Sequence, residues 1–94
     1  MKNPKVITVA GGFYFFGNEI QAAEGFICID QAAMFGGFSG NKGVPAVCRG
    51  EKSGGVTVKL DRFDPAEKVT FPLTAVYAIL PSVNLYEFKG AELR

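Results

Sequence analysis

The chain has 94 residues, of which 48% are hydrophobic and 20% charged, a length that suffices for one compact domain and is too short for two. Ten basic side chains against nine acidic ones leave a net charge of +1, which excludes a global field that steers the chain towards nucleic acid or anionic lipid. Histidine is absent, which excludes histidine-based catalysis and removes the commonest metal ligand. We therefore expect a protein that is not an enzyme and has no metal or other cofactor.

Two cysteines, Cys28 and Cys48, are too few and too far apart for a zinc knuckle. The first five residues begin no signal peptide, and no apolar run approaches the roughly 18 residues that a membrane helix requires. We expect a soluble, cytoplasmic protein with reduced thiols and no membrane contact. A single disulfide between the two cysteines is the alternative in an oxidising compartment.

Short segments rich in β-branched and aromatic residues, separated by Gly and Pro, predict an all-β fold. The run from Val6 to Phe16 is interrupted by Gly11-Gly12, a pair typical of a tight hairpin turn, and predicts two antiparallel strands. Gly17 lies inside the apolar pattern that continues to Ile20. A glycine in that setting predicts a bulge or a sharp bend.

A third strand is predicted to start at Phe26, after a turn at Glu24-Gly25, and to end near Ala33 or Met34. The range 35–55 contains seven glycines and is predicted to be a long loop. A structureless loop of this length is uncommon in a compact domain. A short helical turn or β segment is therefore expected inside it, from Val44 to Cys48.

The remaining strands are shorter. Alternation from Val56 to Phe63 predicts a half-buried strand, and Val69 to Phe71 begins another, which Pro72 ends or confines to an edge. The run from Ala75 to Leu80 is apolar, and Val83 to Phe88 alternates and is expected to close the sheet or pair with a neighbouring subunit.

Five or six short, strongly bent strands in meander order predict a small closed barrel of the SH3-like or OB-like class, because an open sheet of this size exposes its edges. One such domain is expected to cover residues 1–94. Lys59 and Arg62 lie near Asp61 and Asp64, so we expect their charges to be largely offset on a solvated strand face.

The first half of the chain resembles the Sm signature, in the pattern Val6-x-Thr8-x-x-x-Gly12-x-x-x-x-Gly17-x-x-Ile20, followed after a turn by Phe26-Ile27-Cys28-Ile29. The range 69–82, which reads Val-Thr-Phe-Pro-Leu-Thr-Ala-Val-Tyr-Ala-Ile-Leu-Pro-Ser, is similar to the closing strands of the Hfq branch of the Sm/LSm superfamily. This resemblance implies an Sm-like barrel whose variable loop, between the third and fourth strands, is the range 35–55. It also implies a homomeric ring that binds single-stranded RNA.

The chain departs from the family at the positions that bind uridine. It has no Arg-Gly pair before Ala75, and Leu73-Thr74 stands where the Hfq branch has a Lys-His pair. Departures of this kind are typical of small Sm-like proteins of phage origin. The expected location is therefore the cytoplasm of a bacterium or a phage-infected host cell.

Sm-type rings stack bases on an aromatic side chain, bond base edges with polar groups and neutralise phosphate with Lys or Arg. By resemblance, Phe26 is the stacking residue, Gln21 and Glu24 bond base edges from the same turn, and Thr74 contributes a hydroxyl from a second turn. The alternatives are that Phe26 is an ordinary core residue and that the second turn is a plain β-turn.

Three basic residues of the glycine-rich range, Lys42, Arg49 and Lys52, have Glu51 as their only acidic neighbour, for a local charge of +2. A flexible loop with that charge is able to wrap a phosphate backbone. The alternative is that the three charges only keep a mobile loop soluble.

Nine Phe and three Tyr exceed what the interior of a small barrel holds, so some must lie at the surface. An Sm-like chain pairs its fourth strand with the fifth strand of the next subunit, which buries both edges. The expected interface residues are Phe71, Val76, Tyr77 and Ile79. The expected function is a non-catalytic ring that binds single-stranded RNA or DNA in nucleic-acid processing; the alternative is a phage structural or protein-interaction adaptor that uses an SH3-like barrel without nucleic acid.

Overall fold

The computed structural model describes residues 1–40 and 43–94. Within them lie seven strands, one α-helix and three short 3-10 helices. The strands are β1 (Pro4–Val9), β2 (Phe13–Ile20), β3 (Phe26–Ser39), β4 (Thr57–Arg62), β5 (Val69–Pro72), β6 (Val76–Pro81) and β7 (Ala91–Leu93). The α-helix, α1, is Gly43–Arg49, and the 3-10 helices are Ser53–Gly55, Leu73–Ala75 and Leu85–Glu87. The prediction of an all-β fold is confirmed, with one short helix added.

All seven strands belong to one sheet, in the order β6-β1-β2-β3-β4-β7, with β5 paired to β3 beside this path. Every pairing is antiparallel except that of β4 with β7. The sheet is not closed, since β6 and β7 are the two ends of its path, so the predicted closure into a barrel is not confirmed. No helix among the residues that the structure describes is long and apolar enough to cross a membrane.

The predicted hairpin at the start of the chain is confirmed. Strands β1 and β2 pair from Val9 opposite Phe13 outwards, and Gly11 and Gly12 both have positive φ, at 90° and 79°. Glycine adopts this left-handed backbone without the clash that a Cβ causes. The glycine pair therefore fixes the turn and, through it, the register of the first two strands.

The bend predicted at Gly17 is also confirmed. The register of β2 against β3 shifts between Phe16 and Asn18, and a Cβ at Gly17 would lie 2.9 Å from Ile29 Cδ1 and 3.0 Å from the Asp30 carbonyl oxygen. On the facing strand, Gln31 has a φ of 49°. Gly17 alone faces Gln31 and Ala32, so β3 has one extra residue at this point, which forms a bulge and bends the strand.

The predicted end of the third strand is wrong. Strand β3 does not stop near Ala33 or Met34 but continues to Ser39, because Phe35 pairs with Leu60 and Phe38 with Val58 of β4. Its first half pairs with β5 instead, where Phe26 lies opposite Pro72. One bent strand thus connects two separate pairings.

The predicted long loop at 35–55 is shorter than expected, since residues 35–39 belong to β3 and residues 43–49 form α1. The helical alternative for Val44 to Cys48 is the one that occurs. Its apolar side chains are buried, and Val47 is completely inaccessible to solvent. This burial, which the glycine count does not reveal, is what holds the segment as a helix.

The strand expected from Val83 to Phe88 is a 3-10 helix, Leu85–Glu87, in which the Asn84 side chain accepts a hydrogen bond from the Tyr86 amide. Leu85 and Phe88 are both buried. Their spacing of three places them on one side of a 3-10 turn. The predicted strand depended instead on the alternation of Val83 and Leu85 with polar residues, which has the period of two of a strand. The strand that pairs at this end of the sheet is β7.

The core has two parts. The larger cluster lies under α1 and includes Phe16, Val47, Leu60 and Leu85. The smaller cluster consists of Ile7, Ile27, Ile29 and Ala32, with Phe15, Phe71 and Val76 among the half-buried side chains packed against it. Burial of these side chains supplies most of the free energy that holds the sheet in its bent form.

Candidate nucleic-acid interface

Two turns that the sequence analysis selected lie side by side. Phe26 pairs with Pro72 across β3 and β5, and the Leu73 amide donates a hydrogen bond of 2.9 Å to the Gly25 carbonyl oxygen. The turn before β3 and the 3-10 helix after β5 therefore form one continuous surface. We call residues 21–26 and 70–75 the two-turn surface.

Phe26 is at the centre of this surface and is 47% exposed, and Leu73 is 46% exposed. The alternative that Phe26 is an ordinary core residue is therefore wrong. Sequence analysis selected Thr74 from the second turn for its hydroxyl and passed over Leu73, whose exposed apolar side chain follows Pro72 directly. An apolar residue inside a proline-containing turn was the available signal.

A shallow cavity of about 350 Å³ lies beside Phe26 and is also lined by Gln21. Its wall includes Thr70, whose hydroxyl donates a hydrogen bond of 3.4 Å to the Cys28 sulfur. Glu24 and Thr74 are exposed in their turns and do not line this cavity. The structure thus brings Gln21 and Phe26 to one site, with Glu24 and Thr74 at its margin.

The two-turn surface has an unusual balance of groups for a nucleic-acid site. Its residues include Glu24 but no Lys or Arg, and its two largest exposed side chains are apolar. An exposed aromatic ring stacks on a base irrespective of charge, whereas a phosphate requires a cation nearby. The surface is therefore suited to contact with bases and not to contact with a backbone.

The predicted phosphate-binding cations lie elsewhere. Arg49, at the end of α1, forms an ion pair of 2.5 Å with Glu51, and both Arg49 and Lys52 line a second cavity of about 270 Å³ together with Lys89. This cavity shares no lining residue with the one beside Phe26. Lys42, the third predicted cation, lies outside the described residues.

Cys48 precedes Arg49 and is buried. Burial raises the pKa of its thiol above the usual value, and the Arg49 charge opposes this increase without cancelling it. The thiolate is the reactive form of cysteine. The environment of Cys48 is therefore that of a core side chain and not of an activated nucleophile.

The four predicted interface residues divide into two pairs. Tyr77 and Ile79, on β6, are 74% and 40% exposed. Phe71 and Val76 are half-buried and pack against the smaller core cluster, where the Phe71 ring centroid lies 5.0 Å from that of Phe15. In the part of the chain that the structure describes, β6 pairs only with β1 and β5 only with β3, so each has one unpaired edge.

A comparison of the chain with models of known protein families finds no match, and a search of the curated proteins finds none either. Across residues 1–40 and 43–94, no group of three or more Cys, Asp or Glu side chains is placed to hold a metal ion. The functional proposal therefore depends on the geometry of the two-turn surface and of the two unpaired edges.

Proposed function

We propose that the chain is an Sm-like, SH3-type barrel domain that assembles into a homomeric ring and binds single-stranded RNA or DNA, without catalysis, in nucleic-acid processing. The observation that carries this proposal is the exposed Phe26 ring beside Leu73 on the two-turn surface. Stacking of one base on an aromatic side chain contributes about 1–3 kcal/mol. The Gln21 amide and the Glu24 carboxylate add donors and acceptors for base edges.

The barrel part of the proposal is supported by the link between β5 and β6. These strands pair with β3 and β1, which lie on opposite sides of β2, yet only the three residues Leu73–Ala75 connect them. A connection this short requires the β1-β2-β3 meander to curl until its two edges approach each other. Strong curvature of a short meander is the geometry of small bent barrels.

The ring part is supported by the two unpaired edges. Pairing of β5 in one copy with β6 in the next would satisfy both edges and cover Tyr77 and Ile79. Because the two surfaces differ, each copy uses one to bind its predecessor and the other to bind its successor, and such a contact closes into a ring when its rotation permits. Pro72 and Pro81, at the ends of these strands, limit the length of the new pairing.

A ring would repeat the two-turn surface around one axis, so that successive bases of a strand meet successive Phe26 rings. Phosphate contacts would come from Arg49 and Lys52, together with Lys42. Because Arg49 and Lys52 line a cavity that does not include Phe26, we expect base stacking to contribute more to affinity than charge does, and the salt dependence of binding to be shallow for a nucleic-acid protein.

The test is fluorescence anisotropy with labelled oligo-U, oligo-A and oligo-dT at low salt, on the wild type and on Phe26→Ala. We expect Phe26→Ala to weaken binding by about tenfold or more, the loss that removal of one stacking partner produces. Phe38→Ala is the matched control, because Phe38 is 41% exposed but lies near the other end of β3, where it pairs with Val58 of β4. Absence of binding at low salt, or equal losses in the two variants, would refute the nucleic-acid proposal.

A second candidate function, a phage structural or protein-interaction adaptor, is favoured by one observation. The two-turn surface exposes Phe26 and Leu73 and carries no Lys or Arg, which is the composition of a protein-binding patch. Light scattering separates the two functions when combined with the anisotropy assay. An oligomer that binds no oligonucleotide supports the adaptor, and an oligomer that binds one and loses it in Phe26→Ala supports the RNA-binding ring.

A further inference from the structure

A third cavity, distinct from the two-turn surface, lies where the bend of β3 meets the end of β4. Its volume is about 230 Å³, and its lining residues are Gln31, Arg62, Phe63, Pro65, Tyr86 and Leu93. We call it the Arg62 cavity. Sequence analysis did not find it, because its lining comes from four separate parts of the chain.

One wall of the Arg62 cavity is held in a strained conformation. Gln31, with a φ of 49°, is the only non-glycine residue with positive φ in the described ranges 1–40 and 43–94. Its carbonyl oxygen accepts a hydrogen bond of 2.5 Å from the Tyr86 hydroxyl. The Tyr86 ring in turn packs edge-on against Phe16, with centroids 5.2 Å apart. Backbone strain that the surrounding structure fixes in place occurs preferentially at binding sites.

Arg62 is exposed to solvent, and its charge has no ion-pair partner among the described side chains. The expected neutralisation of Arg62 by its neighbours does not occur, since Asp61 forms a two-pronged ion pair with Arg94, at 2.8 Å and 3.1 Å. The carboxylate of Asp64 accepts a hydrogen bond from the Ala66 amide. Among the residues that the structure describes, no acidic side chain is paired with the Arg62 guanidinium.

The remaining walls are apolar and formed mainly by Phe63, Pro65 and Leu93. A guanidinium binds a carboxylate with two parallel hydrogen bonds, and the Tyr86 hydroxyl, which donates to Gln31, still has lone pairs that accept a hydrogen bond. A volume of about 230 Å³ is below the range of drug-sized ligands. The lining residues therefore favour a ligand with a carboxylate and an apolar part, and the volume favours a small one.

We propose that the Arg62 cavity binds a small carboxylate that carries one aromatic ring or one branched aliphatic group. Arg62 holds the carboxylate, and Phe63 and Leu93 contact the apolar part. The ligand differs from nucleic acid in kind, and its site shares no residue with the two-turn surface. A negative result for RNA binding would therefore leave this proposal unaffected, and the reverse also holds.

The test is a titration of the full chain with 3-phenylpropionate, followed by amide chemical shifts in two-dimensional NMR. We expect saturable shifts at Gln31, Phe63, Tyr86 and Leu93, with a Kd of about 0.1–5 mM for a ligand of this size. The uncharged analogue 3-phenylpropionamide should bind at least about tenfold more weakly, because it lacks the charge that Arg62 recognises.

Two variants locate the binding. Arg62→Gln removes the charge and keeps a polar side chain, and we expect it to weaken 3-phenylpropionate about tenfold and to leave the amide analogue unchanged. Lys59→Gln is the matched control, because Lys59 is an exposed cation of the same strand that lines other cavities. Dispersed NMR spectra of both variants establish that they are folded.

The proposal is overturned by any of these results: no shifts at about 10 mM ligand, equal affinity for the acid and the amide, or equal loss in Arg62→Gln and Lys59→Gln. A shift pattern confined to Arg49, Lys52 and Lys89 would also overturn it, since it would assign the carboxylate to the basic cavity instead.

Discussion

The two halves of β3 differ in the strands that pair with them and in the size of the core cluster on which they pack. The first half, up to the bulge at Gln31, pairs with the four-residue strand β5 and packs on the smaller core cluster. The second half pairs with β4 and is joined to the larger cluster that α1 covers. The first half also contains Phe26, and residues of both unpaired edges pack against its cluster. The proposed base-binding surface therefore lies beside the part of β3 that has the smaller core cluster under it.

Gly17→Val should have the largest effect, because it breaks the bend that separates the two halves. The new side chain would overlap Ile29 Cδ1, which lies 2.9 Å from a Cβ at this position. We expect a loss of about 2–3 kcal/mol in the free energy of unfolding, the cost of overpacking, measured by urea denaturation.

Gly37→Val is the control for this substitution. Gly37 is also in β3, but no atom lies within 4 Å of a Cβ built there and its φ is not positive. We expect a change of less than about 0.5 kcal/mol. If both valines destabilise the chain equally, the loss comes from strand propensity and not from a tight bend at Gly17.

Tyr86→Phe should loosen the bend without removing it. The substitution leaves the ring on Phe16 and deletes the hydroxyl that donates to the Gln31 carbonyl oxygen. We expect the free energy of unfolding to fall by about 1 kcal/mol. Tyr77→Phe, at a tyrosine that is 74% exposed, should change it by only a few tenths of a kcal/mol, and equal effects would show that the Tyr86 hydroxyl does not stabilise the bend.

Gln31→Gly should stabilise the bend, because glycine adopts a φ of 49° without strain. Relief of left-handed strain, about 1–2 kcal/mol, exceeds the entropic cost of glycine, about 0.5–1 kcal/mol. We expect a net stabilisation of about 0.5 kcal/mol by thermal unfolding. Gln21→Gly, where φ is not positive, should destabilise the chain instead, and stabilisation by both glycines would contradict the assignment of strain to Gln31.

The smallest expected effect is on the pH dependence of the free energy of unfolding, to which Cys48 of the larger core cluster contributes. Burial raises the pKa of Cys48, so above about pH 9 the unfolded thiol loses its proton while the folded one keeps it. The unfolded state then binds fewer protons, and the free energy of unfolding falls as pH rises through this range. Cys48→Ala should remove that part of the slope between pH 8 and 10; an unchanged slope would place Cys48 in a more solvated setting.

Local chemistry explains which elements the sequence predicts. The Gly11-Gly12 turn and the Gly17 bend are set by the backbone freedom of glycine, which a single sequence displays directly. Gly36 and Gly37 were interpreted as loop residues by the same rule, yet both lie in β3. A Cβ at Gly36 would lie 2.7 Å from Asp61 Oδ2 and collide with Arg94. There glycine makes room for side chains that are distant in sequence, and no local pattern reveals this.

The candidate sites also include one that the sequence analysis selected and one that it missed. The sequence analysis selected both turns by resemblance to the Sm superfamily, and their position side by side is a result of the structure. The sequence analysis placed Arg62 on a strand face where the nearby Asp61 and Asp64 offset its charge. In the structure, Asp61 instead pairs with Arg94, which is 33 residues away in sequence. Charges near in sequence are a poor guide to ion pairs on a strand, because successive side chains point to opposite faces.

The hydrogen bond from Tyr86 to Gln31 spans 55 residues of sequence, and β1 pairs with β6 through Lys5 and Pro81. Contacts this distant form slowly, because each requires closure of a long loop before any stabilisation is gained. On the ribosome, β1 is able to pair with β6 only after the residues up to Pro81 have emerged from the exit tunnel. The apolar strands of the meander remain accessible to chaperones during that interval.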